Sequence, residues 1–241
     1  MLTHQIKPIA IAHTPFDQKF GIPRQPGLVN LPAVIELLEP YNQYDAVAGL
    51  EQISHLWLTF IFHENIENEP RLKVRPPRLG GNKKVGVFAT RSSFRPNALG
   101  QSLVKLERIE IKEKGILLHV LGLDLLSGTP VVDIKPYLPY ADRVDDAVNK
   151  LAPDAPDLQS LHVHWHPAAV EHLKLLGHGD QVKHWITALL NLDPRPAYAE
   201  EKNNAEKKVY GMMVFGMDVR WQISGPKEAL VLSVERLNTD I

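Results

Sequence analysis

Over residues 53–137 the chain gathers short apolar runs and breaks each at a glycine or proline, a rhythm that admits strands and excludes long helices. The runs fall at 53–62 (ISHLWLTFIF), 85–90, 103–111, 115–121 and 131–137, with a turn at 112–115 joining two of them. An earlier run at 6–12 ends at Thr14-Pro15 and reads as a first strand. Segment 20–30 carries Gly21, Pro23, Pro26 and Gly27 and reads as a loop. Pro32 stands at a first helical position before Val34, Ile35, Leu37 and Leu38, so a short helix stopped by Pro40 is expected there. Strands so short and closely spaced favour a small barrel or sandwich.

The pattern changes at residues 141–159, an acidic stretch with two prolines and no strong apolar period. A domain boundary is expected there, dividing a mainly β domain over 1–145 from a smaller α+β domain over 158–241. The second part reads as a strand at 161–165, helices at 167–176 and 181–192, and strands at 209–215, 219–223 and 229–234. Val182, Trp185, Ile186, Leu189 and Leu190 are spaced for one helical face. A length of 241 residues allows one sizeable core or two modest ones.

Composition removes several chemistries. With no cysteine there are no disulfides, cysteine nucleophiles, iron–sulfur clusters or thiolate zinc sites. No stretch reaches the ~18 continuous apolar residues of a membrane helix. The first seven residues lack a signal core, and a cytoplasmic protein is expected. Neither a Gly-x-Gly-x-x-Gly fingerprint nor a P-loop is present.

A formal net charge of -1 hides a strong local imbalance. Between Arg71 and Arg108 lie ten basic residues (Arg71, Lys73, Arg75, Arg78, Lys83, Lys84, Arg91, Arg95, Lys105, Arg108) and one acid, Glu107. Such a stretch is either a footprint for a phosphate backbone or a solvated surface balanced by acids elsewhere. Inside it, Arg91 and Arg95 flank a Ser-Ser-Phe turn before Pro96-Asn97, where two guanidinium groups can clamp a carboxylate or phosphate. An ordinary capped turn is the plainer reading. Asp124 and Asp133 flank a Ser127-Gly128-Thr129-Pro130 turn; they can bind hydroxyls or accept a proton, or simply cap backbone N–H groups. His55 reads as a core histidine, and His63-Glu64 lacks the second histidine of a metalloprotease helix. His162, His164 and His166 share one strand face, but without a matching acid no metal is expected.

Several motifs, taken in order, resemble the TsaA-like family, also called YaeB or TrmO. They are Pro23-Arg24-Gln25-Pro26-Gly27, Ser54-His55-Leu56-Trp57, Arg75-Pro76-Pro77-Arg78, Gly86-Val87-Phe88-Ala89-Thr90-Arg91-Ser92, Arg95-Pro96-Asn97 and the run from Gly128 to Tyr137. Asp193-Pro194-Arg195-Pro196-Ala197-Tyr198 resembles the C-terminal extension of longer bacterial members. Ser93 and Ala98 stand where proline is common, and Ser127 where aspartate is common.

The resemblance implies a small closed, non-Rossmann β-barrel that binds S-adenosyl-L-methionine, and a homodimer. It also implies methylation of N6 of threonylcarbamoyladenosine at position 37, in the tRNA anticodon loop. Carried over by motif, the methyl-donor site comprises Arg24, Gln25, Pro26, His63, Glu64, Arg91, Ser92, Asp124, Leu125, Leu126 and Ser127. The proton acceptor is expected to be Asp133 or, second, His63; Arg95 and Asn97 face donor or base. Arg75, Arg78, Lys83 and Lys84 are expected on tRNA phosphates, and loop 20–30 over the donor. The alternatives are a non-catalytic RNA-binding barrel and a hydrolase or lyase using the same pocket.

Overall fold

The structure is a computed structural model that describes residues 4–65, 71–76, 83–113, 115–177, 179–195 and 208–237. It divides into two compact units. One comprises Met1–Thr14 and Gln25–Pro153; the other comprises Pro15–Arg24 and Asp154–Ile241. The second unit thus takes in a short N-terminal segment that a cut at residues 141–159 does not anticipate.

The first unit is a closed six-stranded antiparallel barrel. Its strands are β1 (Ala10–His13), β2 (Pro32–Leu37), β3 (His55–Ile61), β6 (Leu99–Lys112), β7 (Gly115–Leu121) and β8 (Thr129–Pro136). They run in the order β1-β2-β7-β6-β3-β8, with β8 closing on β1. Alternation builds the interior. Leu56, Leu58 and Phe60 of β3 point inward with Val104 and Leu106 of β6, Ile116, Leu118 and Val120 of β7, and Val131 of β8. The helix expected at Pro32 is instead β2: Ala33, Ile35 and Leu37 are buried at a period of two, and Val34 and Ile35 are β-branched. Proline is tolerated there as the first residue of the strand. His55 also departs from expectation, because it shares the outer face of β3 with Trp57 and packs edge-on to Tyr137.

A two-stranded hairpin, β4 (Lys73–Val74) with β5 (Val85–Gly86), stands apart from the barrel sheet. The strand expected over 85–90 stops at Gly86 and becomes a one-turn 3-10 helix over Val87–Ala89. Two further short helices are α1 (Tyr44–Val47) and α2 (Pro139–Asp142).

The second unit is a four-stranded sheet in the order β10 (Val209–Val214), β11 (Met217–Gly225), β12 (Glu228–Arg236), β9 (His162–Trp165). Helix α3 (Pro167–Leu175) packs on β12, and α4 (Asp180–Asn191) is tied to β9 by a Trp165 Nε1 to Thr187 Oγ1 hydrogen bond of 2.9 Å. Phe16 bridges Val214 and is buried.

Gly100 on β6 lies opposite Phe60 on β3. A Cβ there would stand 2.5 Å from the Phe60 ring and 2.8 Å from Phe62, two rings packed edge-on at 5.0 Å. Gly100→Ala therefore overpacks this wall and is expected to cost about 1–3 kcal/mol of unfolding free energy, read as a lower urea midpoint at unchanged slope.

Candidate functional site

Antiparallel closure decides which loops meet. Strands β1, β3 and β7 end at the rim where β2, β6 and β8 begin, so five connecting segments share that rim: Thr14, 25–31, 62–65, 87–98 and 122–128. All the carried-over donor-site residues of the barrel unit, from Gln25 to Ser127, lie on them.

A chain of hydrogen bonds joins these segments. Gly27 N donates to Gly122 O at 2.9 Å, and Gly122 N donates to Leu31 O at 3.0 Å. Gly122 has φ 81, and a Cβ on it would stand 3.1 Å from the Gly27 Cα, so both its conformation and its neighbour require glycine. Two residues before Gly27, the Gln25 side-chain oxygen accepts from Arg91 Nη1 at 2.6 Å. Asn65 Nδ2 donates to Ser93 Oγ at 2.9 Å, and Phe62 N to Ala98 O at 2.7 Å, tying the turn after β3 to the arginine loop. On the other side, Thr14 Oγ1 donates to Leu125 O at 2.7 Å and Gly128 N to Ala12 O at 2.8 Å.

Asp124 lies half-buried on this rim. Burial pushes its carboxyl up to about 6, opposed by the Ser102 hydroxyl, its own backbone N–H and the nearby Arg91 charge. Ser102 Oγ donates to Asp124 Oδ1 at 2.5 Å from an inward position of β6 and is 1% exposed. Ser102 was not singled out from the sequence. The available signal was its parity: it occupies the inward row of Val104 and Leu106, where a hydroxyl needs a partner.

The remaining expected residues divide clearly. His63 and Glu64 sit on the rim in a one-turn 3-10 helix directly after β3. Leu125 is buried in the barrel core, so it presents backbone rather than side chain to the rim. Leu126 O is occupied by the Thr129 hydroxyl at 2.7 Å, and Ser127 Oγ accepts from Thr14 N at 3.4 Å. Ser92 Oγ accepts from Phe94 N at 3.2 Å, and Arg95 turns back to the Thr90 carbonyl at 2.9 Å, both shaping their own loop. Asn97 is exposed. Ala98 has φ 51, a region closed to the proline common there. Arg24 belongs to the other unit, where it donates to Arg195 O at 3.2 Å beside the buried Asp193–Arg195 ion pair.

Asp133 is not on the rim. A bulge pairs Thr59 with Asp133 but Phe60 with Val131, shifting β8 by one residue. Val131 therefore points inward while Asp133 is exposed on the outer wall, its Oδ1 accepting from Ile134 N at 2.9 Å. Lys83 and Lys84 are exposed beside β5 and Arg75 beside β4; Arg78 lies outside the described residues. His162 and His164 are exposed on β9, while His166 caps α3; among the described residues no three His, Cys, Asp or Glu side chains form a metal-binding group. Among those same residues no helix is long and apolar enough to cross a membrane.

Comparison with known proteins places both units. Residues 11–143 match the family model "tRNA-methyltransferase O N-terminal domain", and residues 158–237 match "TrmO C-terminal domain". A Pseudomonas aeruginosa protein named "Putative S-adenosylmethionine-dependent methyltransferase RcsF" is 45% identical, covering 97% of this chain and 98% of its own. The Escherichia coli K12 "tRNA (adenine(37)-N6)-methyltransferase" is 43% identical over 93% of this chain and 95% of its own. A crystal structure titled as TrmO from Pseudomonas aeruginosa superposes with a TM-score of 0.78 at 38% identity, covering 98% of each chain.

The raised carboxyl has a thermodynamic consequence. Between about pH 4 and 6 the folded protein holds a proton on Asp124 that the unfolded chain has released, so this group's contribution to stability falls as pH rises through that window and then levels. Asp124→Asn removes this slope while keeping an oxygen acceptor for Ser102. The variant is expected to be more stable than wild type at pH 8 by up to about 2–3 kcal/mol and nearly equal near pH 4. Urea unfolding at the two pH values checks this.

Proposed function

This chain belongs to the tRNA-methyltransferase O family, and we propose that it is an S-adenosylmethionine-dependent enzyme that methylates N6 of threonylcarbamoyladenosine at position 37 of tRNA. What supports the reading is that the segments bearing Gln25, His63, Arg91 and Asp124 share one end of the closed barrel, with Arg91 bonded to Gln25 and its charge acting on Asp124. The donor chemistry fits those residues. Arg91 offers a guanidinium for a carboxylate, and Asp124 offers an anion for an ammonium, a sulfonium field or ribose hydroxyls. Pro26 and the 122–128 backbone supply apolar surface and peptide groups, with the two glycines allowing close approach.

The bound donor supplies an electrophilic methyl group already activated by its sulfonium. What remains for the protein is alignment and proton removal. The N6 lone pair is delocalised into the ring and the carbamoyl group, so an acceptor that takes the N6 proton as the new bond forms contributes roughly a hundred- to ten-thousand-fold. His63 stands at the rim and takes that role in preference to Asp133, which faces away on the outer wall. Arg75, Lys83 and Lys84 hold the phosphates around the anticodon loop, and Arg78 joins them by sequence position. The working assembly is a homodimer.

Incubation with labelled S-adenosylmethionine and tRNA, with and without the threonylcarbamoyl group, tests the reading. Label should appear only in the modified tRNA; salt-sensitive tRNA binding without transfer would instead establish a non-catalytic RNA-binding barrel. Arg91→Ala should weaken donor binding at least tenfold by calorimetry, and unchanged affinity would remove Arg91 from the donor site. Reversing Lys83 and Lys84 to glutamate should weaken tRNA binding and flatten its dependence on salt, leaving donor affinity unchanged.

A further inference from the structure

Two large apolar side chains stand out in water at the most basic part of the barrel unit. Phe88 is 78% exposed and Leu72 is 75% exposed. Their backbones come close across the small hairpin: Lys73 pairs with Gly86, and Val87 N, one residue before Phe88, donates to Leu72 O at 3.0 Å. Phe88 is held there firmly. Val87 before it is buried, and the Thr90 hydroxyl closes the turn on Val87 O at 2.8 Å. An aromatic ring presented outward from a hydrogen-bonded turn is poised to contact a partner.

Charge selects that partner. Exposed Lys73, Arg75, Lys83 and Lys84 lie on or next to the two strands of the same hairpin, and no acid occurs from residue 71 to residue 106. A second copy docked here about a two-fold axis would bring these cations against themselves. A polyanion with flat apolar faces satisfies both features, and unpaired nucleobases on a phosphate backbone are such a ligand. We propose that Phe88, with Leu72 beside it, is the platform on which an unpaired base of the tRNA substrate stacks. The proposal rests on the tRNA reading above and adds a base contact to its phosphate contacts.

The test measures binding of an anticodon stem-loop RNA at fixed salt to full-length wild type, Phe88→Ala, Phe88→Leu and Phe88→Trp, alongside S-adenosylmethionine affinity and molecular mass. Loss of stacking should weaken RNA binding about tenfold in the Ala and Leu variants. The Trp variant should bind like wild type, with indole fluorescence quenched on RNA addition beyond the wild-type change. Donor affinity and mass should hold in all four. A Leu variant as tight as wild type would show that apolar bulk suffices and overturn the stacking. An Ala variant as tight as wild type, or one with altered mass, would overturn it too. Wild type that binds the RNA yet transfers no methyl group refutes the enzymatic reading alone, and the binding series still judges Phe88. Wild type that binds no RNA overturns both.

Discussion

Closure of six antiparallel strands is the constraint from which the candidate site follows. In an open sheet the loops after β1, β3 and β7 would spread along an edge. In a closed barrel they must converge with the segments that enter β2, β6 and β8. Residues 25, 63, 91 and 124 are distant in sequence yet share one rim for that reason. The side-chain bonds Arg91–Gln25 and Asn65–Ser93 then fix the loops relative to one another. No glycine fingerprint or helix N-terminus is needed to gather polar groups, because the barrel mouth does so by topology.

The same closure makes Asp124 costly. Its carboxyl is drawn against a mostly apolar interior, and the buried Ser102 hydroxyl with a nearby guanidinium compensates only in part. A fold selected for stability alone would place an amide or an apolar group there. A carboxylate held at stability's expense beside an arginine is the pattern expected of a binding or reacting group. Asp133, solvated on the outer wall, carries no such cost.

The strands at 53–62, 103–111, 115–121 and 131–137 were legible because alternation and turn residues agree there. Pro32 misled because a proline that opens a helix and one that opens a strand look alike over six residues; only the neighbouring β1 and β7 decide. The one-residue bulge that turns Asp133 outward has no local signature, since it depends on how β8 meets β3. Ser102 was hidden for a related reason: its partner lies 22 residues away across a hairpin. The donor-site motifs were readable by resemblance, whereas their convergence required the barrel.

Arg95 and Arg91 show how such a rim separates scaffolding from ligand chemistry. Both lie in the same loop four residues apart, and by sequence they form an equal pair. Arg95 is half-buried and spends its guanidinium on the Thr90 carbonyl, bending the loop back on itself. Arg91 is exposed, bonds a side-chain oxygen rather than the backbone, and projects its charge onto Asp124. A backbone carbonyl is a fixed partner; the Gln25 amide can rotate away at little cost when a carboxylate arrives. The loop therefore commits one arginine to its own shape and leaves the other exchangeable, which is what a site that must bind and release a charged donor in every turnover requires.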